Sequence, residues 1–476
     1  MRNLKLLLLS CIVAFTITSC FEDLDDNITT TSALDINDFV WKGMNVNYLY
    51  KSEIPNLAND RFSSNEEYTE YLSDFNAPED LFESLKYLPE SVDRFSRIYS
   101  NYFDLLNAQQ GISLSNGIEF NLYFVPGSDT EVFGAITLVL NNSVADDLGL
   151  ERGQIFRAVN NENLNVDNIN DLLTTDSYTL NFADYDNNGT SEPEDDTITL
   201  NGESTELTKV TYTENPVHKA EVISLTPSIK IGYLMYNGFR SNFTNELNAA
   251  FGEFNTAGIS DLVIDLRYNG GGAVQTAAYL GSMVTGQFTG EVYSKTFYNE
   301  SLQSLNRDYL FANTIEGAGA INSLNLSKVY VLTTNRRTAS ASELLINSLK
   351  PYIDVVVIGE NTVGKTQASI TLYDSPTFGF ENVNPGHTYA IQPLVANSTN
   401  VNDQLVPSGG LIPDIQITES PSTLGTLGDI NEPLLATAIV DILTSDRSLN
   451  RANDTFNFRL FKISKTHPLE QDMYID

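Results

Sequence analysis

The spacing of apolar residues changes character several times along the chain. Leu6 to Ile17 is an apolar run behind Arg2 and Lys5. It is too short to stop in a bilayer and reads as a signal peptide over residues 1–19. Residues 20–36 are polar and rich in Thr, Ser and Asp, a linker pattern. From Asp38 to about Leu106 the apolar positions, among them Phe39, Trp41, Met44, Tyr48 and Leu49, fall at near-helical spacing. That predicts a small helical domain over 37–108, with the segment Asp93 to Tyr99 continuing the helical pattern. Residues 109–222 then switch to period two, most clearly at 117–124 and 135–140, which predicts strands. From Lys230 the period alternates. Apolar strand-like runs at 230–234, 261–266, 329–332 and 355–358 are separated by helical stretches at 242–254, after Gly272, and at 340–349. Alternating strands and helices predict a largely parallel sheet, so the fold class is α/β (α+β multidomain) with its core over 223–448. The tail, 449–476, carries no assignable pattern, and no internal repeat is visible.

Charge narrows the partners. A net charge of −35 argues against nucleic acid and anionic surfaces. The composition, 41% hydrophobic and 10% aromatic, is that of a globular chain. Of the two cysteines, Cys11 would leave with the signal. Ile17-Thr18-Ser19-Cys20 resembles a bacterial lipobox, in which the cysteine is lipidated and becomes the first residue; the alternative is an ordinary cleavable signal. Lipidation at Cys20 would anchor the protein to the outer membrane, on its periplasmic side or the cell surface. The acidic stretch Phe21 to Asp26 is either a surface-export signal or a solvated tether.

Within the strand-rich region, Ser143 to Asn160 resembles a PDZ-domain signature: a short helix ending at a glycine, a turn, then a strand ending Val159-Asn160. Such domains capture a peptide terminus by adding it as a strand. The resemblance makes Ile118, Glu119 and Phe120 the candidate substrate-binding residues, at the loop that would hold a carboxylate. Glu119 stands where glycine is usual, so the domain either binds C-termini or serves as a rigid lid. Further on, Asp184-Tyr185-Asp186-Asn187-Asn188-Gly189, with Glu192 and Asp195, has the start of a calcium loop. A strand-like run at 197–200 follows where a helix should, which favours an acidic hairpin.

Three segments carry chemistry. Asp265-Leu266-Arg267-Tyr268-Asn269-Gly270-Gly271-Gly272 runs a strand into glycines ahead of a helix, where backbone amides can approach a substrate and serve as an oxyanion hole. Thr338-Ala339-Ser340-Ala341-Ser342-Glu343 puts Ser340 at a helix start, either as a nucleophile or as the cap of a Ser-x-x-Glu capping box. Ser342 is its neighbouring competitor. Gly364-Lys365 follows. None of the three histidines lies near Ser340 in sequence, and a lysine in a desolvated site can act as the base instead. Gly359 to Thr366 also fits the phosphate-loop expression G-x-x-x-x-G-K-[ST]. Residues 367–373 alternate like a strand, however, whereas a phosphate loop opens a helix. No nucleotide, metal or other cofactor is expected.

Together these segments resemble the C-terminal (tail-specific) processing protease family of serine peptidases, over roughly residues 117–415; Gly410 to Asp414 is similar to its closing motif. The resemblance implies a crotonase-like or ClpP-like α/β protease core with an inserted PDZ-like domain and an N-terminal helical domain. It also implies Ser340 as nucleophile and Lys365 as general base. The amides of Ala341 and of a glycine such as Gly270 or Gly271 would form the oxyanion hole, and Gln367 or Ser369 would orient the lysine. Protein or peptide substrates would enter by their C-terminal segments. The alternative is a non-catalytic peptide-binding lipoprotein on the same fold, with Ser340 only a cap.

Overall fold

A computed structural model describes residues 31–190, 192–335, 337–444, 458–463 and 473–475. The expected signal peptide, Cys20 and the acidic stretch after it lie outside the described residues. No described helix is long and apolar enough to cross a membrane.

The central sheet orders its strands Val217–Thr226, Ile229–Tyr236, Asp261–Asp265, Lys328–Thr333, Asp354–Gly359 and Ile415–Gln416. The first pair is antiparallel and the rest are parallel. The alternation of side chains explains how one sheet serves two cores. Leu234, Leu262, Ile264, Val331 and Val357 face the helices Thr244–Ala257, Val274–Thr285 and Ala341–Leu349. Tyr233, Val263, Tyr330, Val356 and Ile358 face the helix Pro433–Thr444 on the other side. Continuous apolar strands of this kind are the expected signature of a sheet covered on both faces. The α/β class and the helices expected over 242–254 and 340–349 are therefore present.

A second sheet lies beside the first, in the order Gly272–Ala273, Met473–Tyr474, Gln367–Ser369, Leu394–Thr399, Val292–Tyr298, Arg307–Leu310. The β-rich insert contributes a third, whose path runs Leu460–Ile463, Ile118–Phe124, Val132–Val139, Ile155–Val159, Ser177–Asp186, Thr197–Thr208. Its short helix Val144–Asp147 is capped by the Ser143 side chain, and Gly149, at φ 71°, ends the turn. Strand Thr197–Thr208 pairs back onto Ser177–Asp186, so the acidic segment 184–195 is a hairpin tip. There the Asp195 carboxylate accepts from Thr190 and that of Asp184 from Asn201. The strand Gln367–Ser369 directly after Lys365 likewise leaves no phosphate-loop helix.

The N-terminal region is helical, as the spacing predicts, with helices Ala33–Asn47, Asn65–Ser73, Pro78–Ser84 and Tyr102–Gln109. The continuation through Tyr99 is not. Arg97–Tyr99 is a strand, antiparallel to Ala390–Gln392. The Asp93 carboxylate turns the chain out of helix by accepting from the Ser96 amide, and a waiting sheet edge outweighs local helical spacing. The tail, too, contains strands, Leu460–Ile463 and Met473–Tyr474, each bonded to a sheet far away in sequence.

Candidate active site

Ser340 precedes the helix Ala341–Leu349 with φ 66° and ψ −116°, a backbone conformation that an L-residue holds only when its surroundings impose it. Those surroundings are a lattice of hydrogen bonds. Thr338 Oγ1 donates to the Leu266 carbonyl (2.9 Å), the Ala339 amide to the Asn269 carbonyl (3.3 Å), and Ser342 Oγ to that same carbonyl (3.0 Å). The Ser340 segment is thus sewn to the end of the strand Asp261–Asp265. Ser342, the competing serine, is committed to this role. Ser340 Oγ is buried and among the described residues has no hydrogen-bond partner. Ser340 and Glu343 have capping-box geometry, and the Glu343 carboxylate closes its half on the Ser340 amide, but Ser340 Oγ makes no hydrogen bond in return. A buried hydroxyl left unpaired costs about 1–3 kcal/mol, which a simple helix cap would have no reason to incur.

Glu343 brings Ser340 and Lys365 together. It is fully buried. One carboxylate oxygen accepts from the Ser340 amide (2.7 Å) and the Lys365 amide (2.9 Å). The other accepts from the Gly364 amide (2.7 Å) and the Thr362 hydroxyl. Burial raises the pKa of this carboxyl above its usual range, and the four donors oppose that only in part. The backbones of Ser340 and Lys365 are therefore bound to the same oxygen atom. Gly364 holds φ 88°, and a Cβ there would come within 2.2 Å of the Ser408 carbonyl. Only glycine makes this turn into Lys365.

Lys365 is completely buried, with Nζ 5.1 Å from the centre of the Phe95 ring. Neighbouring Arg94 donates to the carbonyls of Val363 and Gly364 (3.4 Å each). The N-terminal helical region therefore walls the lysine. Gln367 donates to the Tyr50 hydroxyl (3.0 Å), whose pKa burial pushes up to about 12. Ser369 Oγ instead donates to the Met473 carbonyl (3.1 Å).

In the glycine run the Gly271 amide donates to Asn269 Oδ1 (2.9 Å), while Asn269 Nδ2 holds the Tyr236 carbonyl (2.8 Å). Ala341 opens its helix, so its N–H has no acceptor within it. Behind the glycines, Arg267 is wholly buried and pairs with Asp265, Glu419 and Glu432. Arg152 reaches in from the β-rich insert to Glu419 and the Tyr268 hydroxyl. Burial alone would raise the Glu419 carboxyl, but the two guanidiniums override it and hold the pKa at about 2.

Of the substrate-binding candidates, Ile118 and Phe120 line a groove of about 470 Å³, with Leu122, Ile169, Leu173 and Tyr178. Glu119 is turned away and ion-pairs with Arg337, just ahead of Ser340. Sequence reasoning saw Glu343 only as a capping residue. It had no signal for Phe95 or Arg94, whose contacts with Lys365, Val363 and Gly364 are remote along the chain, and it placed Asn269 in the glycine run without its bonds to Tyr236, Ala339 and Ser342.

Comparison with known proteins identifies the family. Residues 230–415 match the sequence profile of Peptidase family S41, and residues 35–97 match the Peptidase S41 N-terminal domain. The chain is 24% identical over 257 residues to a carboxyl-terminal-processing protease of Picosynechococcus, covering 54% of each. It is 30% identical over 173 residues to the chloroplastic C-terminal processing peptidase of Tetradesmus obliquus, covering 35% of this chain and 34% of that protein. The chain thus spans about half, or less, of the curated relatives it matches. A crystal structure described as an S41 protease of Bacteroides fragilis superposes with a TM-score of 0.65 at 28% identity, over 85% of this chain and 97% of that one. The chain belongs to peptidase family S41, the C-terminal processing proteases.

Proposed function

We propose that this protein is a serine endopeptidase in which Ser340 is the nucleophile and Lys365 its general base. The observation that carries the reading is the shared tie to Glu343: one buried carboxylate fixes the backbones of both residues, while Ser340 Oγ remains buried and unpaired. In this mechanism the neutral amine of Lys365 takes the Ser340 proton as Oγ attacks the peptide carbonyl carbon. The carbonyl electrons move to oxygen, and the amides of Ala341 and Gly270 stabilise the oxyanion. Gly271 contributes by shape, because its own amide is held by Asn269. The ammonium of Lys365 then protonates the departing amine, and water, deprotonated by the same lysine, hydrolyses the acyl-enzyme. Gln367 and Ser369 orient the strand after the lysine, Gln367 through Tyr50.

The β-rich insert serves as a PDZ-like domain whose groove receives an extended peptide through Ile118 and Phe120. Glu119 and Arg337 couple that edge to the nucleophile segment. Substrates are extracytoplasmic proteins, and the enzyme is anchored to the outer membrane by lipid on Cys20.

Incubation with an unfolded protein bearing an apolar C-terminus tests the reading. Cleavage by the parent, and its loss in both Ser340→Ala and Lys365→Ala, is expected. Equal cleavage by all three would refute the dyad. Tail peptides bound but cut by none would indicate a binding protein on this fold.

A further inference from the structure

The strand Leu460–Ile463 lies antiparallel on the outer edge of Ile118–Phe124, whose other edge is taken by Val132–Val139. Leu460 sits opposite Tyr123, Lys462 opposite Leu122 and Ile463 opposite Asn121. The Phe124 amide donates to the Arg459 carbonyl (2.9 Å). The tail therefore advances toward Ile118 and the loop before it, the polarity required of a peptide whose C-terminal side is to reach that loop.

Side chains secure the contact. Phe458 is buried against Tyr123, Phe133 and Tyr185. The Arg459 guanidinium lies 3.9 Å from the Phe124 ring centre and bonds Asp129 (2.7 Å). Phe461 meets Phe124 edge to face, with ring centres 5.2 Å apart. Lys462 Nζ crosses the groove to Asn170 Oδ1 (2.7 Å). The same tail docks again beside the glycine run. Met473–Tyr474 lies parallel to Gly272–Ala273 on one side and to Ser369 on the other, and the Ile475 amide donates to the Ser369 carbonyl (3.1 Å).

We propose that the chain's own C-terminal tail is an intramolecular peptide ligand of the insert groove, and that an incoming peptide must displace it to use the same strand edge. The inference rests on the reading of that groove as a peptide site. The physical basis is that an edge strand accepts one partner at a time. A tethered competitor also acts at an effective concentration of the order of millimolar, far above a free peptide at working dilution. The ligand class is an extended segment of aromatic and aliphatic residues interspersed with basic ones, as in Phe458-Arg459-Leu460-Phe461-Lys462-Ile463.

The test measures binding, by fluorescence anisotropy, of a labelled peptide copying residues 457–465. All proteins are full chains carrying Ser340→Ala, so no turnover intervenes. One further carries Arg459→Glu and Lys462→Glu. Both side chains are exposed, so the fold should survive their reversal; circular dichroism checks this. At least tenfold tighter binding to the charge-reversed protein is expected, abolished when Phe120→Asp is added. Equal affinity for the two, binding to neither, or insensitivity to Phe120→Asp would overturn the proposal by making the tail a permanent strand. Because the readout is binding, a failure of the peptidase reading would show only in the cleavage assay above.

Discussion

Replacing Glu343 by glutamine isolates the tie between Ser340 and Lys365. The carboxylate accepts four hydrogen bonds, two on each oxygen. Glutamine keeps one acceptor oxygen and turns an NH2 toward the other two donors. Its least costly orientation points the NH2 at Thr362, whose hydroxyl can rotate to accept, and leaves the Gly364 amide facing a donor. A buried unsatisfied donor costs ~1–3 kcal/mol, and converting two charge-assisted bonds to neutral ones costs about 1 kcal/mol each. The expected loss is roughly 3–5 kcal/mol, equivalent to a Tm decrease of about 6–20 °C for a core of this size. The carboxylate positions Ser340 and Lys365 without meeting substrate, so kcat should fall about 100-fold with KM little changed. Thermal unfolding by circular dichroism and steady-state cleavage measure the two effects. A variant melting within about 2 °C of the parent would refute the energetic argument. One that melts early but retains the parent kcat would show that Glu343 supports the fold without aligning the dyad.

Acid should loosen the cluster behind the glycines. The folded pKa of Glu419, about 2, lies below its ordinary 4.5. Its stabilisation is therefore present above pH 4.5 and lost as pH falls toward about 2, a change on the order of 3 kcal/mol. Glu419→Gln should flatten that part of the pH–stability curve measured by urea unfolding; an unchanged slope would place the linkage elsewhere. Gly364→Ala puts a Cβ 2.2 Å from the Ser408 carbonyl at a positive φ, whereas a Cβ on Gly409 meets nothing. Gly364→Ala should lose at least 2 kcal/mol and nearly all cleavage, while Gly409→Ala retains both; equal behaviour would refute the turn argument.

The parts of this protein visible in sequence are those with a short-range physical signature. The two-faced central sheet was legible because residues such as Tyr233 and Leu234 are both apolar, as burial on two faces requires. Ser340 and the glycine run sit where a strand passes through a loop into a helix, and Lys365 in the loop between two strands; each junction leaves its own mark in the sequence. Tertiary partners left no such mark. Arg97–Tyr99 reads as helix until Ala390–Gln392 offers it an edge. Arg267 looks like any charged residue at a strand end, because Glu419 and Glu432 neutralise it from far along the chain. Glu343 satisfies a capping box so well that its second carboxylate oxygen, which holds Gly364 and Thr362, has no counterpart in local sequence. The tail strands escaped notice because a strand added to another sheet's edge needs only a few residues of its own.

The backbone of Ser340 has an evolutionary consequence. At φ 66° and ψ −116° this residue occupies territory that glycine enters freely and a side chain enters at a cost of about 1–3 kcal/mol. Selection for stability alone would favour glycine there, and selection for a hydroxyl opposes it. A Ser340→Gly protein should thus be both inert and sturdier than its parent. Copies of this gene released from selection for activity would be expected to drift toward glycine at this position and still accumulate as well-folded protein.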